Sequence, residues 1–470
     1  MGRGSRPDIS IVVACYNAAQ TVGETVASVR RQTHPDWELI CIDDGSCDRT
    51  PQVLATLATE EPRLGWRRAR HRGPSAARNH GTSLATGRNV LYLDADDVLR
   101  PDALEVLLRA ARTANSETLV AGGWELLDPH GHSLGLPRFP AVREFTVDQL
   151  LLGNPISMVT LVPRHLLGPR PFDETLDACV DWDLWLRLAH RGAVCRTIPR
   201  VVFGYRLHAS SLSRRWEIVY TSGRRVIERW LPHAHDPATA RRAPGRWAVV
   251  QAALALAAGD TDTCARCTRE LYHCSRPSEP AVDLAGALHY AFQFVRGRAG
   301  STWAEHAGPW LSECSAWLAR SPLAPQAARI LAHLRNLIAA QADPLGLLRA
   351  AWGRRPRQAP PDRLVIYGLG HNGVALCERL RAAPGFAETA LCGADDFADD
   401  LTFTLLDLPR VDPRQWRSWP AGTFVVVTPH GAEPLVQTLR AAGGRADHDF
   451  LTLVDSRPAH AAPARSEALV

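Results

Sequence analysis

The chain has 470 residues, 46% of them hydrophobic and 22% charged. Its 54 basic residues are all Arg, set against 49 acidic ones for a formal charge of +5. That length exceeds one ordinary domain, and the composition is that of a soluble protein. A disulfide scaffold is excluded by the scatter of the eleven Cys, several of them within apolar runs (Cys15, Cys41, Cys377, Cys392). A membrane span is excluded because the longest apolar stretch, Trp247 to Ala258, is short and is interrupted by Gln251.

The first segment, 8–215, alternates strand and helix signals. Ile9 to Val13 is a buried strand. Thr21 to Gln32 has helical spacing, with Val22, Val26 and Val29 on one face. Trp37 to Ile42 is a second strand and ends in Asp43-Asp44-Gly45-Ser46; a helix follows over Thr50 to Glu60. The stretch carrying Arg63, Arg67, Arg68, Arg70 and Arg72 reads as a solvated loop around Trp66. Val90 to Leu93 is a further buried strand. Such alternation predicts an α/β fold with a mostly parallel sheet and helices on both faces.

The second segment, 216–355, is rich in Ala, Leu, Arg and Trp and reads as helical. Its helices are expected over Arg246 to Ala258, Thr263 to His273, Ala281 to Arg296, Thr302 to Ala319 and Pro325 to Ala340, with Gly259-Asp260 as a helix-to-helix turn. Cys264, Cys267, His273 and Cys274 enclose too short a loop for a zinc knuckle. Pro356 to Pro361 is a linker. The third segment, 362–455, is predicted to be a small Rossmann-like α/β domain. Strand Leu364 to Tyr367 runs into Gly368-x-Gly370-x-x-Gly373 and a helix, and the strand Ala390 to Cys392 precedes Asp395-Asp396. That context suits a pyrophosphate at a helix N-terminus and an acid on ribose hydroxyls, so Gly368, Gly370, Gly373 and Asp395 form a candidate second nucleotide site. A structural or regulatory remnant is the other reading. Thr423 to Thr428 is a strand, Glu433 to Ala442 a helix, and the Ala/Pro-rich tail 456–470 is expected to be disordered.

The chemistry concentrates in the first segment. The strand ending at Leu93 delivers Asp94-Ala95-Asp96-Asp97 to its carboxyl end, where open α/β sheets bind ligands. Clustered carboxylates repel one another unless a cation sits among them, and a divalent ion bridging to phosphate resolves this. The series continues through Ala14-Cys15-Tyr16-Asn17, Gly73-Pro74-Ser75-Ala76-Ala77-Arg78-Asn79, Asp181-Trp182-Asp183 and Tyr205-Arg206-Leu207-His208. This ordered set resembles the family 2 glycosyltransferases of the GT-A fold, over about 8–213.

The resemblance implies an inverting, metal-dependent transfer of a sugar from a nucleoside-diphosphate donor, UDP-linked, to a hydroxyl acceptor in glycan, glycolipid or metabolite biosynthesis. It implies donor contacts at Ala14, Tyr16, Asn17, Asp44, Arg78, Asp94 and Asp96. Tyr16 would stack on the base, Asp44 would face it, and Arg78 would pair with phosphate. It implies Mn²⁺ or Mg²⁺ on Asp96, Asp97 and His208, and a general base at Asp181, with Asp183 as the runner-up or as a cap for a helix over Leu184 to Ala189. The family's usual acid before the base is Val180 here. Trp182 can stack on a sugar and Trp185 reads as core. The loop Phe172-Asp173-Glu174 reads as acceptor-facing. The expected setting is cytoplasmic or at the inner membrane face, with a lipid-linked or small-molecule acceptor, a peripheral membrane contact or a homo-oligomer as compatible arrangements, and no nucleic acid. The rival readings are a nucleotide-sugar-binding regulatory protein with a degenerate transferase domain, and a sugar oxidoreductase centred on the glycine loop.

Overall fold

The computed structural model describes residues 6–274 except 141, 143, 209 and 210, and then 287, 288, 291, 303–320, 324–342, 363–367, 376, 380, 390–394, 423–427 and 450–452. The first elements are β1 (Ile9–Cys15), α1 (Val22–Arg30), β2 (Trp37–Asp43), α2 (Thr50–Glu60), β3 (Leu64–Arg68), α3 (Pro74–Leu84) and β4 (Asn89–Asp94). They are followed by β5 (Val98–Leu99), α4 (Ala103–Arg112), β6 (Thr118–Leu127), β7 (Ser133–Arg138), α5 (Val147–Leu151), β8 (Thr160–Pro163), α6 (Val180–His190) and β9 (Val194–Arg206).

One sheet runs β3-β2-β1-β4-β8-β6-β9-β5, with β7 paired to β6. The β3-β2-β1-β4 half is parallel, and β8 joins β4 antiparallel. Strands β1, β2 and β4 are buried on both faces, which is why they read as continuous apolar runs. The alternation of side chains along β1 sends Ile9, Ile11 and Val13 into a core with α1 and α4, and Val12 into a second core with α3, α5 and α6. This is a mixed α/β architecture, as the alternating strand and helix signals predict. Register then fixes the site: Cys15 pairs with Asp43 and Ala14 with Asp94, so three strand ends align.

The basic stretch before Gly73 is corrected by the structure: Leu64–Arg68 is an edge strand, not a loop. Leu64 is its one buried position, so the apolar signal was too thin to read. Arginines on an exposed edge also discourage pairing with another chain. Arg63 lies 3.6 Å over the Trp37 ring and pairs with Glu61.

Beyond the sheet come α7 (Trp216–Trp230), α8 (Pro237–Ala258), α9 (Thr261–Cys274), α10 (Trp303–Ala319) and α11 (Ala327–Ala342). Val226, Ile227 and Trp230 of α7 share a core with α5 and α6, so the expected boundary at 215/216 falls between elements packed on one another. Asp236 caps α8 by accepting from the Ala238 and Thr239 amides. Gly259 closes it with a φ of 79°, so the turn to α9 needs this glycine. Among the described residues no helix is long and apolar enough to cross a membrane, and no group of three metal-ligating side chains occurs, with Cys264 and Cys267 buried on α9. The strands β10 (Arg363–Tyr367), β11 (Ala390–Ala394), β12 (Thr423–Val427) and β13 (Phe450–Thr452) form a separate parallel sheet in the order β11-β10-β12-β13. Gly368, Gly370, Gly373 and Asp395 lie outside the described residues.

Candidate active site

The end of β1 turns at Asn17, which adopts a φ of 50° that Asn tolerates better than most residues. The Asn17 amide donates to Ser46 Oγ and its Oδ1 accepts from the Cys47 amide, both at 2.9 Å, which locks the β1 and β2 ends together. Tyr16 projects from this bend, 47% exposed. Asp44 is buried. Its Oδ1 accepts from the Arg72 amide at 2.9 Å and its Oδ2 from the Gly73 amide at 2.8 Å, directly before α3. His71 Nδ1 lies 2.8 Å from the same Oδ2, and the imidazole stacks on Tyr16 with 4.3 Å between centroids. In this state His71 therefore makes both contacts foreseen for a nucleobase: a stack on Tyr16 and a ring nitrogen on Asp44.

Arg78 lies in the second turn of α3 and is almost wholly buried. Its Nη2 stands 2.5 Å from Asp94 Oδ1, and its guanidinium lies 5.7 Å from the Phe172 ring centre. Asp96 Oδ2 meets His208 Nε2 at 2.7 Å. Burial, and then the neighbouring Asp94 charge, raise the Asp96 carboxyl above its usual range. Asp97 is placed behind this pair, 2% exposed, with Oδ1 accepting from the Arg206 amide at 3.0 Å. Burial drives its carboxyl well above the usual range, with Asp96 and Asp94 adding to the effect. The structure thus brings Asp96 and His208 together and turns Asp97 inward.

Arg206 has a role that the sequence motif does not assign. Its buried guanidinium donates from Nε to the Asp96 carbonyl at 2.8 Å and from Nη2 to Glu24 at 2.6 Å. It buckles the acidic turn to α1 and β9. Only its neighbours in the motif hinted at this, because Glu24 lies 182 residues away.

Helix α6 begins at Val180, four residues earlier than expected, with Cys179 before it at a φ of 58°. Asp181 is therefore in the first turn. Its Oδ2 accepts from Asn154 Nδ2 at 2.8 Å and its Oδ1 from the Trp182 amide at 2.9 Å. Burial raises its carboxyl above the usual range; these hydrogen bonds and the positive charge of Arg78 oppose that. Arg78 therefore pairs with Asp94, and its charge also acts on Asp181. Asp183 has a different task. It is fully buried, bonded by Arg187, and its Oδ1 accepts from Arg229 and from Trp230 Nε1, each at 2.9 Å. Those partners leave it no free edge for an acceptor, and the cap expected at Asp183 is replaced by this inward ion pair.

Trp182 is 1% exposed and donates from Nε1 to the Leu150 carbonyl, so it is core rather than a sugar platform; Trp185 is core as expected. The loop at Phe172 is held by α3: Asn79 Nδ2 donates to the Phe172 carbonyl at 2.9 Å and to Glu174 at 3.1 Å, and Arg72 pairs with Glu174 at 2.6 Å. Asp96 Oδ2 and His208 Nε2 would be the protein ligands of a divalent cation: Mg²⁺ takes one or two carboxylates plus substrate phosphates, and neutral imidazole is a common metal ligand.

Residues 10–127 match the family model described as Glycosyl transferase family 2. The succinoglycan biosynthesis protein ExoO of Rhizobium meliloti is 30% identical over 224 residues, covering 44% of this chain and 63% of that protein. The UDP-Glc:alpha-D-GlcNAc-diphosphoundecaprenol beta-1,3-glucosyltransferase WfgD of Escherichia coli is 28% identical over 221 residues, covering 45% of this chain and 85% of that protein. Among solved structures, TarS 1-349 of S. aureus in complex with UDP-GlcNAc is 16% identical, with a TM-score of 0.40 over 72% of this chain and 92% of that one, a likeness too slight to argue from. The family match covers β1 to β6 and contains Tyr16, Asp44, Arg78 and the acidic turn at Asp94.

Proposed function

We propose that the protein transfers a sugar from a nucleoside-diphosphate donor, UDP-linked, to a hydroxyl acceptor with inversion at the anomeric carbon. The observation that carries this reading is the ion pair of the buried Arg78 with Asp94 at the end of β4, an arginine whose charge also acts on Asp181 at the start of α6.

In this reading Arg78 pairs with the donor phosphate and Asp94 orients Arg78. Asp96 and His208 would hold Mn²⁺ or Mg²⁺, which neutralises charge on the departing diphosphate when bound. Asp97 and Arg206 hold the acidic turn in shape. Asp181 takes the proton of the acceptor hydroxyl as that oxygen bonds to the anomeric carbon. The bond from that carbon to the diphosphate oxygen breaks, and the nucleoside diphosphate leaves with the electron pair. Displacement from the face opposite the leaving group inverts the centre. The WfgD similarity supports a UDP-sugar donor and a glycan-assembly setting as proposals for this chain.

The test is release of nucleoside diphosphate from UDP-, GDP-, dTDP- and CDP-sugars, with and without Mn²⁺, by wild type, Asp96→Asn and Asp181→Asn. Release that needs Mn²⁺ and is lost in both variants supports the reading. Release from none of these donors, with no thermal stabilisation by any of them, refutes it.

A further inference from the structure

Asn154 has no part in the reading above. It sits in the bend between α5 and β8, after Gly153, whose φ of 147° suits glycine. Although Asn154 is exposed, its amide reaches across 27 residues to Asp181 Oδ2 at 2.8 Å. Asp181 Oδ1 is held by the Trp182 amide. Each carboxylate oxygen thus carries one donor and keeps a lone pair for an incoming proton. The charged or titratable groups facing this carboxylate are Arg78 from α3 and the Cys179 thiol at the head of α6. Asp183, two residues on, is turned away into its ion pairs with Arg187 and Arg229.

We propose that Asn154 is the positioning residue of the catalytic base: its amide fixes the plane of the Asp181 carboxylate and favours its ionised form. The proposal rests on the assignment of Asp181 as the base. The Trp182 amide holds one carboxylate oxygen, and the Asn154 amide, from outside α6, holds the other and so fixes the plane at Oδ2. A hydrogen bond to the charged form lowers proton affinity, and one to a carboxylate is worth about one pH unit. Without Asn154, burial is opposed less strongly, by the Trp182 amide and the Arg78 charge, and the carboxyl stays protonated to a higher pH.

The test uses the full chain labelled at aspartate Cγ with ¹³C, the Asp181 resonance being identified by its loss in Asp181→Asn. Asn154→Ala should raise the titration midpoint of that resonance by about one pH unit. Asn154→Gln, which keeps an amide donor, should stay closer to wild type. If Asn154→Ala lowers the melting temperature, Asn154→Leu decides instead, because it removes the donor at similar volume. An unmoved midpoint in the folded variant overturns the proposal. Nucleoside-diphosphate release tests the parent assignment separately: if Asp181→Asn keeps wild-type turnover, the base assignment fails whatever the midpoint does.

Discussion

Arg78 and Asp94 form an ion pair at 2.5 Å, joining the second turn of α3 to the end of β4. The arginine is nearly buried, while the aspartate is about a third exposed. A charge held this way is dear to desolvate and is aimed before any ligand arrives. Arg78→Met should therefore lower kcat/KM by about 100-fold, the size seen when one preorganised charge donor is removed. Steady-state kinetics with the preferred donor would check this, and a loss under threefold would contradict it.

Asp181 and Asp183 lie two residues apart and should behave in opposite ways. Asp183→Ala strands Arg187, Arg229 and Trp230, and breaking a buried pair of this kind costs about 3 kcal/mol. Asp181→Asn should leave the denaturation midpoint near wild type and abolish turnover. Denaturant unfolding and activity measured on both variants would separate the two roles.

Rate should fall on the acid side at a higher pH than for an ordinary carboxylate. Burial raises the Asp181 carboxyl, and a base acts only when ionised, so activity is present above its pKa and is lost as pH falls through it. The acid limb of the kcat profile should accordingly sit above the range of a free aspartate, near 4. A limb at or below that value would contradict the assignment.

The acidic turn should divide into a binding and a bracing half. Asp96→Asn should remove the response to Mn²⁺ with little loss of stability, because Asp96 is partly open and meets His208. Arg206→Leu should cost stability as well, since it unties the Asp96 carbonyl, Glu24 and the Pro129 carbonyl together. Melting temperature with and without Mn²⁺ would distinguish these outcomes.

His71 stacks on Tyr16 and bonds Asp44, so a base that uses the same partners must displace it. His71→Ala should tighten UDP binding several-fold, as the competing state is removed. Calorimetric titration would show it, and a weakened affinity would instead mean that the imidazole contacts the ligand directly.

The motifs of the first segment were legible because they are local. Each occupies a few residues at a strand end or a helix start, and apolar runs of period two or 3.6 betray the element that carries it. Edge strand β3 was not legible, since only Leu64 is buried and the rest of its pattern is Gly, Trp and Arg. The early start of α6 was hidden for a related reason: Cys179 supplies an uncommon backbone turn without a Gly or Pro to mark it.

By itself the sequence determined the α/β class, the order of the strands that carry the acids, and the identity of Asp94, Asp96 and Asp181 as candidates. The tertiary structure decided which carboxylate faces where. Asp97 and Asp183 carry the same chemical group as their neighbours but point into the protein, toward Arg206 and toward Arg229 with Trp230. That choice depends on partners 109 and 46 residues away, and on the burial they create. No local pattern encodes a contact between such distant residues, so exposure separated the open acids from the buried, bracing ones only once the chain had folded.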